Sequence, residues 1–423
     1  MPRLKPLAGT WAGIFAALLG GGAVIGACDP EGPASATETI EPDDTKAIGD
    51  DLRAYVGDFK IARAALEASL VTRENGYARR RLERYTETTW GSLPAYDPRS
   101  APMLVEPTTR RAVPAPDPSD PAWSRTLVDP DTFEPTDAAL RALGERAFFQ
   151  YPVQPAPGLP EALDQPDQAG VWTNEGKFGV VWTETSVGVR GAFTCATCHA
   201  TPAPDGKLFV GLNNPRIDAA KLSANPEALG WGLGRVDVTS DGAANPAVIT
   251  DLRPIRWQRR YHRAATLYAG TQALAVRIET LIITNNSEAI RPPKLIAAGL
   301  TMFLLSLGTS TPRSEVAPTS AGAAVFDRTC ARCHTGEGAA GSAVSLEEIG
   351  TNPAVGLSSD RGTGGYRVPS LRGAAVRRPL FSDGAVSDLE ALLDPQRTVP
   401  GHPHGLSLSA PDRAALLAYL ALL

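Results

Sequence analysis

The chain has 423 residues, of which 43% are hydrophobic, and a formal net charge of −5. This length exceeds what one small hydrophobic core organises, so two or three domains are expected. The acidic balance argues against a nucleic-acid-binding protein, which needs a clustered basic surface. With 40 glycines and 37 prolines, the sequence predicts short helices joined by long loops and turns.

Residues 1–27 have the pattern of an export signal. Arg3 and Lys5 precede a long uncharged stretch of small and apolar residues, and Cys28 follows it directly. Such a stretch is typical of a secretory signal peptide, and a cysteine at its end resembles a bacterial lipoprotein signal. We expect Cys28 to carry a lipid that anchors the protein on the periplasmic side of a bacterial membrane. A plain signal peptide and an uncleaved membrane anchor are the alternatives.

The next two segments predict a tether and a helical region. Residues 28–45 are acidic and contain three prolines, which favours a flexible tether. Residues 46–125 begin with apolar residues at helical spacing and become proline-rich after residue 94. Further along, Thr136 stands before an apolar periodic stretch, in the manner of a helix N-terminus. Strand signals are weak, and we expect at most a short hairpin or edge from residues 179–182 and 208–210.

Two five-residue segments, 195–199 and 330–334, repeat the pattern Cys-x-x-Cys-His. This is the attachment pattern of c-type haem, in which two thiols bind the porphyrin and the histidine binds iron. A zinc site or a redox dithiol is the alternative, but neither needs a histidine after each second cysteine. We therefore expect two covalently bound haems. The attachment residues are Cys195, Cys198, His199, Cys330, Cys333 and His334, with the two histidines as proximal iron ligands.

The first iron has no assured sixth ligand. No histidine or methionine lies between His199 and His262. His262 is one candidate, and its arginine-rich surroundings could face haem propionates or solvent. Met302 is another, although its apolar run predicts a core helix. An iron without a sixth ligand would be open to peroxide or oxygen.

A short acidic stretch between these candidates resembles the start of a calcium loop. Asp237, Thr239, Asp241 and Asn245 alternate along it, but the twelfth position is Val248 where such loops carry glutamate. We expect a polar turn here, with a calcium site as the alternative.

The second iron has only two nearby candidates for its sixth ligand. Neither methionine nor lysine follows Cys330, whereas His402 and His404 precede an apolar closing helix. We expect one of the two, with His402 preferred, to bind this iron; two exposed loop histidines are the alternative. Two imidazole ligands predict low-spin iron at a lower potential than a His/Met pair gives.

These patterns predict a mainly α protein with two cytochrome c-like haem domains, long loops and a small helical N-terminal extension. The first haem domain is expected over residues 126–310 and the second over residues 311–423. Each would contain its haem segment, a loop-rich middle and a closing apolar helix.

From about residue 136 onward, the chain resembles the bacterial di-haem cytochrome c peroxidases. This superfamily also includes the maturation enzyme of methylamine dehydrogenase and the rubber oxygenases. The stretches that carry the resemblance are LGERAFF at 143–149, FTCATCH at 193–199, GYRVPSLR at 365–372, PLFSDGAVSDL at 379–389, and GH at 401–402 with DRAALLAYL at 412–420. In rubber-oxygenase-type proteins, a histidine placed like His402 binds the second iron.

The resemblance implies that the first haem reacts and the second passes electrons received from a small redox protein. It implies Glu288 as the acid–base carboxylate, Arg277 as the group that stabilises developing charge, and Tyr268 as an electron relay. A glutamate at a surface helix end is the alternative for Glu288. The chain departs from the family at Ser382, where the family has histidine. It also lacks the usual methionine ligand and a histidine shortly after the first haem segment.

Three functions follow from this resemblance. The leading expectation is reduction of hydrogen peroxide at the first haem. The alternatives are a non-catalytic di-haem electron carrier and a haem oxygenase of an organic substrate.

Overall fold

The computed structural model describes residues 45–106, 108–109, 111–124, 126–162, 166–174, 177–203, 205–223, 230–308 and 320–423. The expected signal peptide, Cys28 and almost all of the tether lie outside these residues. None of the described helices has the length and apolar character that crossing a bilayer requires.

The N-terminal region forms three helices, α1 (Thr45–Gly57), α2 (Phe59–Ser69) and α3 (Gly76–Arg84). The side chains of Asp58 and Asn75 cap α2 and α3 by accepting hydrogen bonds from backbone amides of their first turns. The predicted helical spacing is confirmed, because most of the apolar residues that define it are buried, and the other two, Val56 and Phe59, are partly buried against the same core. The buried ones are Ile48, Leu52, Tyr55, Ala62 and Leu66.

The remaining helices come from the part of the chain that contains the two haem segments, and α7 (Cys195–His199) is itself the first of these segments. The predicted start of α4 is confirmed, since the Thr136 hydroxyl accepts a hydrogen bond from the amide of Ala139 at 3.2 Å. The helices are α4 (Asp137–Gln150), α5 (Leu159–Ala162), α6 (Pro166–Ala169), α7 (Cys195–His199), α8 (Thr271–Asn285), α9 (Lys294–Leu307), α10 (Ala321–Thr329), α11 (Leu346–Ile349), α12 (Leu389–Leu392) and α13 (Ala410–Leu420).

Short antiparallel strands occupy the long loops. They are β1 (Ser100–Pro102), β2 (Gln154–Pro155), β3 (Thr173–Asn174), β4 (Lys177–Phe178), β5 (Val180–Thr185), β6 (Gly188–Phe193), β7 (Ala200–Pro202), β8 (Leu208–Val210), β9 (Arg235–Val236), β10 (Ala247–Val248), β11 (Arg260–Tyr261), β12 (Leu267–Tyr268), β13 (Ala343–Ser345) and β14 (Gly365–Arg367). One sheet has the order β1-β5-β6-β2, and the other strands form two-stranded pairs. Residues 180–182 and 208–210 do form strands, but each belongs to a hairpin of its own, since β5 pairs with β6 and β8 pairs with β7. Strands are therefore more numerous than the sequence predicted.

The same helix crossing occurs twice, once near each haem segment. Helix α4 packs against α9, and α10 packs against α13. At the first crossing, a Cβ atom on Gly144 would lie 1.8 Å from the carbonyl oxygen of Gly299. At the second, a Cβ atom on Gly322 would lie 2.2 Å from the carbonyl oxygen of Ala415. Both crossings therefore depend on a glycine that lets two backbones touch.

An aromatic pair follows each glycine contact by one helical turn. Phe148 and Phe303 have ring centroids 5.4 Å apart, and Phe326 and Tyr419 have centroids 5.3 Å apart. In both crossings the glycine and the aromatic residue are four positions apart on the same helix, so they share one face. The two halves of the chain thus repeat one packing unit.

The hydrophobic core joins the N-terminal helices to the region of the first haem segment. Buried residues from Ile48 to Leu305 form one cluster, and a separate cluster lies between α10 and α13. A third, small cluster links Ala264 of the first half to Val344 and Tyr366 of the second. Helix accounts for 36% of the described residues and strand for 14%, so the fold is mainly α at this coarse level.

Candidate haem sites

Helix α7 holds the first Cys-x-x-Cys-His segment against the β5–β6 hairpin. Thr194 and Thr197 cap this helix reciprocally, with the Thr194 amide donating to the Thr197 hydroxyl at 2.9 Å. Both threonine hydroxyls donate to the carbonyl of Gly179. Burial raises the pKa of the Cys195 and Cys198 thiols to about 12. Both cysteine side chains pack against the apolar core.

The two histidines predicted as proximal iron ligands, His199 and His334, share one hydrogen-bonding arrangement. The Nδ1 atom of His199 lies 2.8 Å from the carbonyl oxygen of Thr250, and that of His334 lies 3.1 Å from the carbonyl oxygen of Ala339. A carbonyl only accepts, so Nδ1 carries the proton and Nε2 keeps its lone pair. Burial lowers the pKa of both imidazoles to about 4, so they are neutral. This is the state that a proximal iron ligand needs.

A cavity of about 230 Å³ surrounds the second segment. Cys330, Cys333 and His334 lie on its wall together with His402 and His404. Much of the remaining wall is aliphatic and comes from Leu371, Leu380, Leu389, Leu393, Leu416 and Leu420. A large apolar cofactor with one polar edge fits such a cavity.

His402 and His404 both have buried, unsatisfied ring nitrogens. Among the described residues, Nδ1 of His402 and Nε2 of His404 have no hydrogen-bond partner. The backbone of His402 is held with φ near 44°, and its amide donates to the carbonyl of Ile349 at 2.6 Å. Burial, followed by the effect of His334, lowers the pKa of His402 to about 4. His402 therefore remains neutral near the proximal histidine, as a sixth ligand would.

Three partly buried arginines, Arg263, Arg367 and Arg377, line the same cavity. Burial lowers the pKa of Arg263 to about 10 and that of Arg367 to about 9. In the described part of the chain, neither of these two forms an ion pair with a carboxylate; Arg263 donates to the carbonyls of Val248 and Phe381. A buried cation without an anion is unfavourable. The propionates of a haem would supply the missing negative charge, so these residues fit that cofactor.

His262 lies in the loop between β11 and β12, close to Arg277 of α8. The Nε hydrogen of Arg277 is donated to Nε2 of His262 at 2.5 Å. The proton of His262 is therefore on Nδ1, which is buried and has no partner among the described residues. Burial and then the charges of Arg277 and Arg361 hold the pKa of His262 well below its ordinary value. The arrangement does not favour His262 as an iron ligand, because its lone pair is already engaged.

Glu288 lies just after α8, where the N-terminal region packs against it. Its carboxylate accepts hydrogen bonds from Nε of Arg80 at 2.7 Å, Nε of Arg84 at 3.0 Å and the indole of Trp90 at 2.9 Å. Burial raises the pKa of this carboxyl, but the bonds from Trp90 and Arg80 outweigh that effect and hold the pKa below its usual value. The predicted acid–base residue is thus a carboxylate with three donors already bound.

Three other residues singled out from the sequence, Tyr268, Met302 and Ser382, lie in a strand, a helix and the cavity wall. Tyr268 lies in β12, with the guanidinium of Arg260 3.8 Å from its ring centroid. Met302 is 2% exposed within α9, where most side chains are buried, as expected of a core residue. Ser382 lines the cavity of the second haem segment, and its hydroxyl lies 3.5 Å from that of Tyr366.

The stretch considered as a calcium loop forms a hydrogen-bonded polar turn. Asp237 accepts bonds from the amide and hydroxyl of Thr239 and from the amide of Asn245. Asp241 accepts a bond from the hydroxyl of Ser358 at 2.5 Å. Within the described part of the chain, no three His, Cys, Asp or Glu side chains converge on a metal-sized site. Calcium binding stays a prediction.

Comparison with known proteins assigns the C-terminal part of the chain. Residues 319–423 match the cytochrome c family. These residues form a cytochrome c domain. Such a domain implies a covalently bound c-type haem.

Among solved structures, the chain is similar to a MauG-like protein associated with microbial copper homeostasis. The identity is 16%, the similarity covers 78% of this chain and 94% of that chain, and the TM-score is 0.37. No curated protein matches the sequence.

Sequence reasoning missed the carbonyl acceptors of both proximal histidines and the ion pair between Asp251 and Arg377. Ala339 follows His334 by five residues, so a tight loop after the haem segment was a usable signal. Thr250 lies 51 residues from His199, and no local pattern identifies it. The repeated glycine-x-x-x-phenylalanine of α4 and α10 was also visible in the sequence.

Proposed function

We propose that this protein is a di-haem c-type oxidoreductase. It reduces hydrogen peroxide at the haem of residues 195–199, and the haem of the C-terminal cytochrome c domain relays the electrons.

The internal repeat supports the presence of two haems. Both halves combine a Cys-x-x-Cys-His segment with a glycine-mediated helix crossing and an aromatic pair. In both, the proximal histidine donates from Nδ1 to a backbone carbonyl. A redox dithiol would not need this second feature, because it uses no histidine lone pair. A zinc-binding histidine would share it, but a zinc site does not need a histidine directly after each second cysteine.

The observation that carries the proposal is the difference between the two sixth-ligand positions. His334 and His402 both line the cavity of the second haem segment, whereas the candidate for the first iron, His262, is hydrogen-bonded to Arg277. Met302 is a buried residue of α9. With five histidines and three methionines in the whole chain, this arrangement favours an open first iron.

An open haem iron supplies the redox chemistry that converts hydrogen peroxide, two electrons and two protons into two molecules of water. The chain's own residues must bind and orient the peroxide and move its protons. Glu288 remains the predicted proton carrier, and proton exchange there requires release from Arg80, Arg84 and Trp90. Arg277 remains the predicted stabiliser of developing charge, and its other guanidinium nitrogens keep donor capacity while Nε holds His262.

The proposal includes a small redox protein as electron donor. It also includes export to the periplasmic side of a bacterial membrane, with a lipid on Cys28 as anchor. Export and the lipid anchor are supported by the signal pattern of residues 1–28. The redox partner is supported only by the resemblance of residues 136–423 to the di-haem peroxidases.

A second candidate function is electron transfer without catalysis. The occupied carboxylate of Glu288 favours it, because an acid–base group that is already held by three donors exchanges protons poorly. This candidate requires both irons to be six-coordinate.

The test is EPR of the ferric protein before and after addition of hydrogen peroxide, together with a haem count by pyridine haemochrome. Two haems, one high-spin and lost on addition of peroxide, support peroxide reduction. Two low-spin haems that do not respond support the electron carrier. One haem per chain contradicts both.

A further inference from the structure

A continuous chain of bonds leaves the first proximal histidine and reaches the second half of the protein. His199 donates from Nδ1 to the carbonyl of Thr250 at 2.8 Å. The next residue is Asp251, whose side chain is only 3% exposed. Its Oδ2 accepts a hydrogen bond from Nε of Arg377 at 2.9 Å. Arg377 lines the cavity of the second haem segment.

The same chain continues to the second proximal histidine. Nη1 of Arg377 donates to the carbonyl of Ser370 at 2.5 Å, and the hydroxyl of Ser370 donates to the carbonyl of Gly338 at 2.5 Å. The following residue, Ala339, accepts the hydrogen bond from Nδ1 of His334 at 3.1 Å. Ser370 is fully buried. Covalent bonds and hydrogen bonds thus connect His199 to His334 without a break.

We propose that the Asp251–Arg377 ion pair couples the two haems, so that the oxidation state of one iron sets the potential of the other through their proximal histidines. The inference rests on the proposed di-haem function, because it needs a haem at each end. Asp251 and Arg377 are positioning residues in this scheme, since they act on the irons through the histidines and their carbonyl acceptors.

Three physical features make this connection effective. The hydrogen bond at Nδ1 of a proximal histidine controls how strongly the imidazole donates to the metal. Hydrogen bonds in a buried chain polarise one another, so a change at one end is felt along it. The ion pair at the centre is buried, and electrostatic effects are weakly screened there. By linkage, the effect of the first iron on the second must equal the reverse effect.

Asp251 also offers a matched control, because it has a second arginine that lies off the path. Arg253 binds the same carboxylate, with Nε on Oδ1 at 3.0 Å and Nη2 on Oδ2 at 2.7 Å. Replacing Arg253 removes a positive charge next to Asp251 and leaves every bond between His199 and His334 in place.

The experiment is a spectroscopic redox titration of the full di-haem chain in four forms. They are the wild type, the paired variant Asp251→Asn with Arg377→Gln, the milder variant Ser370→Ala, and the control Arg253→Gln. Haem content is counted first in each. In the wild type and in Arg253→Gln, the midpoint potential of each haem should depend on the oxidation state of the other. The paired variant should lose this dependence, and Ser370→Ala should reduce it.

Two results overturn the inference. One is that the paired variant and Ser370→Ala both keep two haems and both keep the full interdependence of the two midpoint potentials. The other is that Arg253→Gln loses as much of the interdependence of the two midpoint potentials as the paired variant does. That result would assign the effect to local charge and not to the path. If the paired variant does not fold, Ser370→Ala decides, because it removes only the two neutral hydrogen bonds of the Ser370 hydroxyl, one to the carbonyl of Gly338 and one from the amide of Arg372. A single haem in the wild type would instead defeat the proposed function.

Discussion

Arg277 and His262 meet side chain to side chain, with the guanidinium Nε donating to the imidazole Nε2 at 2.5 Å. The bond links the middle of α8 to the loop between β11 and β12. Because a histidine binds haem iron through a ring lone pair, an imidazole held in this way is not available to the first iron. His262 is surrounded by arginines from three parts of the chain, since Arg81, Arg277 and Arg361 all act on it.

The first prediction concerns the spin state of the first haem. Replacing His262 by Gln keeps an acceptor for Arg277 and removes the imidazole. We expect the ferric EPR spectrum to keep the same high-spin and low-spin signals as the wild type, because no iron loses a ligand. A low-spin signal that converts to high-spin in His262→Gln would show that His262 is the sixth ligand.

The second prediction concerns acid stability. The pKa of His262 is held well below its ordinary value of 6.5, so below that pH the unfolded chain binds a proton that the folded chain does not. The free energy of unfolding should therefore fall as pH drops from about 6.5, by at most about 1.4 kcal/mol per pH unit for one group. In His262→Gln this part of the decline should vanish. Urea unfolding at pH 7 and pH 5 measures it, and equal declines in both proteins would refute the assignment.

The third prediction separates His402 from His404. We expect His402→Ala to convert the low-spin second haem to high-spin, because His402 is the more deeply buried of the two imidazoles. His404→Ala serves as the matched control and should keep the low-spin signal. His402→Met should keep six-coordination and raise the potential of this haem, since a His/Met pair gives a higher potential than two imidazoles. The reverse pattern would assign the ligand to His404.

The fourth prediction concerns Glu288. Glu288→Gln removes the charge that Arg80 and Arg84 bind, and we expect it to lower the free energy of unfolding by about 1–3 kcal/mol. Glu83→Gln, which changes an exposed carboxylate of α3, is the control and should cost less than about 0.5 kcal/mol. Thermal unfolding of both variants measures the difference. Unchanged stability in Glu288→Gln together with lost peroxide turnover would restore its role as the acid–base residue.

Local patterns in the sequence predicted the helices well. The spacing of Ile48, Leu52 and Tyr55 defined α1, and Thr136 marked the start of α4, because both signals depend on residues within a few positions of each other. The β5–β6 hairpin was missed. Glycines interrupt the sequence on both sides of its turn, and both strands have buried residues on consecutive positions, from Val180 to Val181 and from Gly191 to Phe193. This pattern hides the alternation that usually identifies a strand.

The haem segments could be found from the sequence because five consecutive residues contain the attachment chemistry. The surroundings of the histidines could not, because Thr250 and Arg377 come from distant parts of the chain and are brought together only by folding. The role expected for Glu288 rested only on its position in the stretch that resembles the di-haem peroxidases. Arg80 and Arg84, which bind it, lie 208 and 204 residues earlier in the chain, where no sequence pattern connects them.

The two glycine crossings have a consequence for how this chain can change over evolutionary time. At Gly144 and Gly322 any larger side chain would collide with the partner backbone, so mutation there is blocked unless the helices separate. Loops, iron ligands and surface charges carry no such restriction and are free to diverge between the halves. A library that randomises α4 and α10 should therefore return glycine at these two positions and variety on the exposed faces. The crossings also favour recombination of whole haem units. A unit exchanged from its first helix to its last helix would keep both sides of its own glycine contact.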